Sequence, residues 1–247
     1  MDLAIVWKSL PALLNGAVVT IELTVVSVLL GLALSLPIAL ARVARNPLLR
    51  WPAYGYILYF RGTPLLVQIF LVYYGSGQFH QFLAEIGLWP YFREAYFCAV
   101  LTLTLNTAGY TAEILRGGIQ GVPHGEIEAA RALGMSGSLL YRRIILPKAF
   151  RLALPAYANE VVFLFQATSL VSIITVMDLT YEARTIVARS FRVYEIYITA
   201  GLIYLAMTYG ILWVFRKVEH RLSGHLRERP STAQEAEAIG APTTAPR

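Results

Sequence analysis

The chain has 247 residues, of which 57% are hydrophobic and 15% are charged, and its formal net charge is +6. Soluble domains average about 45–50% apolar and about 25% charged residues, so this composition excludes an ordinary soluble domain and predicts an all-α integral membrane protein. The basic residues lie along the chain next to apolar blocks, which favours the positive-inside pattern of membrane proteins over a nucleic-acid partner.

Five apolar segments are long enough to cross a hydrocarbon core about 30 Å thick. They cover residues 16–40, 53–74, 95–115, 154–177 and 196–215. Arginines follow the first, third and fifth segments, whereas residues 75–90 contain no Lys or Arg. The sequence therefore predicts five transmembrane helices with the amino terminus outside and the carboxyl terminus in the cytoplasm. The fourth connection fits this rule badly, since it is predicted to be external and yet contains Arg184, Arg189 and Arg192.

The second segment is interrupted by Arg61-Gly62-Thr63-Pro64. Pro64 removes one backbone donor, and Gly62 lowers the local helix propensity. Membrane helices tolerate such breaks where neighbouring groups satisfy the freed backbone. The pattern predicts a hinge, a broken helix that lines a pathway, or a static kink.

The connection between the third and fourth segments reads GVPHGEIEAARALGMSGSLLYRRIILPKAF. Pro123 suits a first helical position, Glu126 and Glu128 suit the positive end of a helix dipole, and Gly134 suits a helix stop. We expect a helix of about three turns, with Ile127 and Leu133 as apolar anchors for a groove in another protein. An amphipathic helix lying on the inner leaflet is the alternative.

Seven residues of this connection match the EAA loop of ABC-importer permeases in identity and spacing. They are Glu128, Ala129, Ala130, Gly134, Ile144, Leu146 and Pro147. The segments FRGTPLLVQ, LTLNTAGYTAEILRGGIQ and LPAYANEVVFLFQATSLVS extend the likeness. The chain resembles the permeases of polar amino acid importers in the histidine, lysine, arginine, ornithine and opine group.

That resemblance implies a type I ABC importer permease fold in a bacterial inner membrane, with a coupling loop at about residues 117–151. It implies three kinds of partner: a dimer of ATP-binding subunits, a second permease that is identical or related, and a periplasmic or extracellular binding protein. ATP and magnesium would be bound by the ATP-binding subunit, so this chain is expected to be a transport subunit with no catalytic residue, metal or cofactor of its own. The permease domain would cover residues 1–229, and the polar composition of residues 230–247 predicts a disordered tail.

Ionisable side chains inside the predicted spans each cost about 2.5–3.5 kcal/mol near mid-bilayer on insertion scales. Glu22 lies near the outer end of its span, where a tertiary partner or snorkelling suffices. Arg61 and Glu113 both lie near cytoplasmic ends, so a mutual ion pair is expected, with a gating role as the alternative.

Glu160 lies in a span that is otherwise mainly apolar. Asn159 and Gln166 are seven residues apart and share a helix face beside it, while the third span carries Asn106, Tyr110 and Glu113 at helical spacing. The two polar faces predict a substrate pathway formed by Arg61, Asn106, Glu113, Asn159, Glu160 and Gln166. The alternative is that these side chains hold helices together.

Three other functions fit poorly. No internal repeat of the kind found in many secondary transporters is visible. The histidines lack a metal-ligand spacing such as HExxH, and no GxSxG elbow occurs. No lysine follows a glycine, so a Walker A motif is absent. These observations disfavour a self-contained transporter, a membrane enzyme and an ATPase.

Overall fold

A computed structural model describes residues 3–222, and within that range every regular element is helical. The longer helices are α1 (Leu3–Val43), α2 (Pro47–Gly62), α3 (Leu65–Ser76), α6 (Ala95–Gln120), α9 (Leu146–Ala167), α10 (Leu179–Ser190) and α11 (Val193–Leu222). The shorter ones are α4 (His80–Glu85), α5 (Trp89–Phe92), α7 (His124–Ala132) and α8 (Gly137–Leu140). The predicted disordered tail lies outside the described residues.

The centre of the fold is α6, which packs against α1, α2, α3 and α9. Most of its buried side chains are small or hydroxylic, such as Ala99, Thr102 and Ala108. Its backbone approaches α9 closely at Gly118, where a Cβ atom would lie 2.5 Å from the carbonyl oxygen of Ala149. Because α6 is surrounded by other helices, its side chains need not be as apolar as those that face lipid.

By length and composition, three helical stretches among residues 3–222 could cross a membrane: α1, residues Gly137–Ile174, and α11. The pair formed by α2 and the stretch Leu65–Glu85 passes the same test together, with a bend of 103° between them. The 26 residues of α6 are about 39 Å long, enough to span, but α6 is not among the stretches that meet this test. Four of the five predicted segments thus coincide with candidate spans, and the count of five stays a prediction.

Several boundaries differ from those predicted. The first helix begins at Leu3, well before residue 16, and continues past the predicted span. The fourth predicted span ends early as an α-helix, since α9 stops at Ala167 and a 3₁₀ segment runs from Thr168 to Ile174. Thr175 then takes a left-handed conformation with φ of 69°, which turns the chain towards α10. Sequence periodicity carries little information about such a change of helix type.

Candidate functional site

An open cavity of about 560 Å³ lies beside the break between α2 and α3. Residues of α2, α3, α6 and α9 form its wall. They are Arg61, Gly62, Thr63, Pro64, Leu65, Asn106, Tyr110, Glu160, Phe163, Leu164 and Ala167. Three of the six predicted pathway residues are therefore brought together here, namely Arg61, Asn106 and Glu160.

The Glu160 side chain is almost completely buried, with 8% of its residue surface exposed. The hydroxyl of Thr107 on α6 donates a hydrogen bond to its Oε1 atom at 3.1 Å. Within the described part of the chain, no Lys, Arg or His comes within ion-pairing distance of Glu160. A buried carboxylate without a paired cation can serve as an acceptor for a cationic ligand.

The break between α2 and α3 is held by side-chain amides. Thr63 and Pro64 are extended, which frees backbone carbonyls at the end of α2. The Gln68 Nε2 atom lies 3.0 Å from the Phe60 carbonyl oxygen and 3.1 Å from that of Thr63, and donates to both. In turn, the Asn106 amide nitrogen donates to Gln68 Oε1 at 2.9 Å. This network replaces the missing helical bonds, as a break inside a membrane protein requires.

The same network includes Asn106, which also lines the cavity. Its amide nitrogen lies within hydrogen-bond distance of Gln68 Oε1 and of the Phe60 carbonyl, at 2.9 and 3.3 Å, so its donors serve the break. The interpretation of the RGTP segment as a broken helix at a pathway is supported by the 103° bend and by the adjoining cavity. Whether the break also moves as a hinge stays a prediction.

The expected ion pair between Arg61 and Glu113 is not formed. Glu113 pairs with Arg116 one turn along the same helix, with N–O distances of 2.9 and 2.6 Å. Arg61 instead lies over the ring of Tyr110, with its guanidinium carbon 5.4 Å from the ring centroid. An i, i+3 pair on one helix needs no tertiary alignment, which explains why Glu113 turns to Arg116 and leaves the cavity wall.

Asn159 and Gln166 do not reach the cavity. Both side chains are exposed on the surface of the described chain, on the face of α9 next to Glu160. The cavity face of α9 follows the spacing of Glu160, Leu164 and Ala167, which are four and three residues apart. The 100° offset between Asn159 and Glu160 is enough to place one outside and the other inside.

The helix expected in the connection between the third and fourth spans is α7, which runs for about two and a half turns. Pro123 is its N-cap residue and Gly134 follows its end with φ of +79°. The Gly134 amide donates to the Arg131 carbonyl at 2.9 Å, and the Met135 amide donates to the Ala130 carbonyl at 3.0 Å. These two bonds form a Schellman motif, so the sequence correctly identifies Gly134 as the stop.

The two faces of α7 differ from the predicted arrangement. Ile127 and Ala130 face inward and pack in a cluster with Leu140 and Ile145. Ile127 is therefore partly buried by internal contacts, and its role as an anchor for another protein stays a prediction. The outward face carries Glu128, Ala129, Ala132 and Leu133, and Leu133 is 80% exposed.

The remaining motif residues hold α7 in place. Ile144 and Leu146 are partly buried in the cluster beneath it, and Pro147 lies in the first turn of α9. An ion pair between Lys148 and Glu126 ties α9 to α7. The seven motif residues thus form an exposed helix face and its internal support.

Two functional residues were missed by sequence reasoning. Gln68 lies four residues after Pro64, a spacing at which a side chain can reach back over a broken helical turn. Thr107 is next to Asn106 and resembles the other threonines of α6, so nothing in the sequence singles it out. Only the α6–α9 contact gives it a role.

The sequence matches the family described as the binding-protein-dependent transport system inner membrane component over residues 27–224. The nopaline transport system permease protein NocM of Agrobacterium fabrum is 48% identical over 229 residues, covering 93% of this chain and 95% of NocM. The histidine/lysine/arginine/ornithine transport system permease protein HisM of Escherichia coli K12 is 42% identical over 213 residues, covering 86% and 90%. The crystal structure of an amino acid ABC transporter with histidines contains a chain of similar fold, with a TM-score of 0.78 and 35% identity, covering 90% of this chain and 99% of that one.

Proposed function

This chain belongs to the family of binding-protein-dependent transport system inner membrane components, and we propose that it forms a membrane pathway for polar amino acids. Basic amino acids or opines are the proposed substrate class. The observation that carries this proposal is the Glu160 carboxylate, buried in the wall of a cavity of about 560 Å³ and without a paired cation in the described chain.

The charges of the cavity support this substrate class. Arg61 contributes a cation from α2, and Glu160 contributes a carboxylate from α9. An amino acid with a basic side chain offers the complementary groups, a carboxylate and a guanidinium or ammonium. Charge-assisted hydrogen bonds of this kind are roughly twice as strong as neutral ones. The nopaline and histidine/lysine/arginine/ornithine names of the relatives agree with this chemistry.

The exposed face of α7 is the proposed docking surface for the ATP-binding subunit. Glu128, Ala129, Ala132 and Leu133 form a slim outward surface, and the Schellman motif at Gly134 fixes where that helix ends. A short amphipathic helix of this kind fits a groove in a partner. The inward side of α7 contacts the start of α9 through the cluster that includes Ile127 and through the ion pair of Glu126 with Lys148. Movement of α7 would therefore move α9.

In the proposed topology, the chain has five transmembrane spans, with α6 as the third. Its amino terminus lies outside and its carboxyl terminus lies in the cytoplasm. It lies in the bacterial inner membrane as the permease domain of residues 1–229. Its partners are a dimer of ATP-binding subunits that bind ATP and magnesium, an identical or homologous second permease, and a periplasmic or extracellular binding protein. The arginine-rich connections after the first, third and fifth spans support this orientation.

Purification of the chain from the cells that naturally produce it tests the proposal. We expect an ATP-binding subunit to copurify, and the reconstituted complex to take up labelled arginine only with ATP and a binding protein present. Competition by unlabelled lysine, ornithine, opines and neutral amino acids then ranks the substrates. Uptake by the chain alone, driven by an ion gradient, would contradict the proposal.

A further inference from the structure

Two adjoining cavities lie between the α1–α2 connection and the segment around α7, with volumes of about 420 and 710 Å³. Both are lined by Val43, Ala44, Arg131, Leu140 and Tyr141. Arg42 and Arg50 line the smaller cavity, and Arg45 lines the larger one. Four arginines therefore line one crevice, which is separate from the cavity at Glu160.

The positive charge of this crevice is not compensated by the protein. No Asp or Glu lines either cavity. In the stretch from residue 3 to residue 222, none of the four arginines forms an ion pair. Glu113 lies within electrostatic range of Arg42, but both of its oxygens accept hydrogen bonds from Arg116. A bound anion would stabilise such a cluster of cations.

Arg42 provides a second, independent observation. Its Nε atom is buried and has no hydrogen-bond partner in the described chain. A buried guanidinium donor that is left unsatisfied is costly, which indicates that an acceptor from outside the chain completes the site. The guanidinium carbon lies 4.6 Å from the centroid of the Tyr54 ring, so the side chain is already held in place beside the cavity.

The residues next to the crevice indicate the source of the anion. Arg50 lies over the ring of Trp51, 5.9 Å from its centroid. Leu48, Leu49 and Trp51 are 80%, 53% and 61% exposed at the start of α2. Trp residues are enriched where a membrane meets water, and exposed leucines beside them match acyl chains. An anionic head group over apolar side chains is the chemistry of a phospholipid.

We propose that the crevice lined by Arg42, Arg45, Arg50 and Arg131 binds the phosphate head group of an anionic phospholipid of the cytoplasmic leaflet. This inference rests on the proposed orientation, because α7 and the α1–α2 connection are then both cytoplasmic. The negative surface of that leaflet attracts basic side chains. An acidic patch of the ATP-binding subunit is the rival occupant, but it gives no reason for the exposed leucines and Trp51.

The test uses the whole transporter complex, freed of lipid in detergent and titrated with dihexanoyl phosphatidylglycerol while bound lipids are counted by native mass spectrometry. Dihexanoyl phosphatidylcholine and inorganic phosphate are titrated in parallel. One variant carries Arg42→Gln with Arg50→Gln. The matched control carries Arg216→Gln with Lys217→Gln, two exposed cations at the end of α11 that line neither cavity and include a cation over Trp213.

We expect phosphatidylglycerol to bind about fivefold more tightly than phosphatidylcholine. The Arg42→Gln/Arg50→Gln variant should lose that preference, while the control variant keeps it. Arg42→Lys keeps the charge but removes the Nε donor, so it should weaken phosphatidylglycerol binding by about two- to threefold even if the double variant fails to assemble. Equal binding of both lipids, equal losses in variant and control, or binding of inorganic phosphate as tight as that of phosphatidylglycerol would overturn the proposal. So would loss of the ATP-binding subunit from the Arg42→Gln/Arg50→Gln complex without any change in lipid binding.

Discussion

Thr107 donates its hydroxyl hydrogen to Glu160 at 3.1 Å, across the contact between α6 and α9. Both side chains are buried, and no other hydrogen bond to the Glu160 carboxylate comes from the described residues. The carboxylate is therefore oriented from one side by α6, and the cavity lies beside it. Thr107 thus orients the Glu160 carboxylate from one side, and the proposed ligand would bind the carboxylate from the cavity.

Replacing Thr107 with Val keeps the shape of the side chain but removes this donor. Loss of one buried hydrogen bond costs about 1 kcal/mol, so we expect the KM for uptake of a basic amino acid to rise about fivefold. Thr111→Val is the matched control, because Thr111 is equally buried on α6 and its hydroxyl has no partner within residues 3–222. Similar KM changes in both variants would mean that the Thr107 hydroxyl does not orient Glu160.

Gln68→Leu should destabilise the break between α2 and α3. The change leaves the Thr63 carbonyl without its amide donor and the Phe60 carbonyl with only that of Asn106, at a cost of about 1–3 kcal/mol. We expect a lower thermal unfolding temperature of the assembled complex and reduced uptake. Gln166→Leu makes the same chemical change at an exposed position of α9 and should leave both unchanged. An unaltered melting temperature in Gln68→Leu would show that the amide network does not hold the break.

Gly134→Leu tests the end of α7. A side chain is strained at φ of +79° by roughly 1–2 kcal/mol, although the space around Gly134 is open. We expect less ATP-binding subunit to copurify and uptake to fall, while the amount of the chain in the membrane is kept. Gly134→Asn, whose short polar side chain tolerates the left-handed conformation, serves as the control. Full association and full uptake in Gly134→Leu would favour the alternative of a helix that rests on the membrane surface.

Reporter fusions test the predicted orientation. A periplasm-dependent phosphatase joined after Phe215 should be inactive, because the end of α11 is expected in the cytoplasm. The same reporter inserted after Gly87, in the connection that lacks Lys and Arg between residues 75 and 90, should be active. The reverse activities would show that the five-span topology or its orientation is wrong.

The family and the all-α permease fold follow from the sequence, because apolar segments and the EAA loop are local patterns, and both are confirmed. The end of α7 at Gly134 is likewise encoded locally. The set of polar residues that meet in the cavity is not encoded locally. It depends on the rotation of α9, which places Glu160 inside and Asn159 and Gln166 outside. The i, i+3 spacing of Glu113 and Arg116 is also a local signal, and the observed ion pair follows it. The expected pair with Arg61 instead required a tertiary contact that the sequence does not specify.

Uptake by Glu160→Gln complexes tests the central claim most directly. The substitution keeps the size of the side chain and the hydrogen bond from Thr107, but it removes the charge that would bind a guanidinium or ammonium group. Uptake of labelled arginine and of a neutral amino acid is measured per assembled complex in the same proteoliposomes. We predict that arginine uptake falls about tenfold or more while neutral uptake changes by less than about threefold, with normal amounts of complex. Unchanged arginine uptake per complex, together with less assembled complex, would show that Glu160 only holds α6 and α9 together.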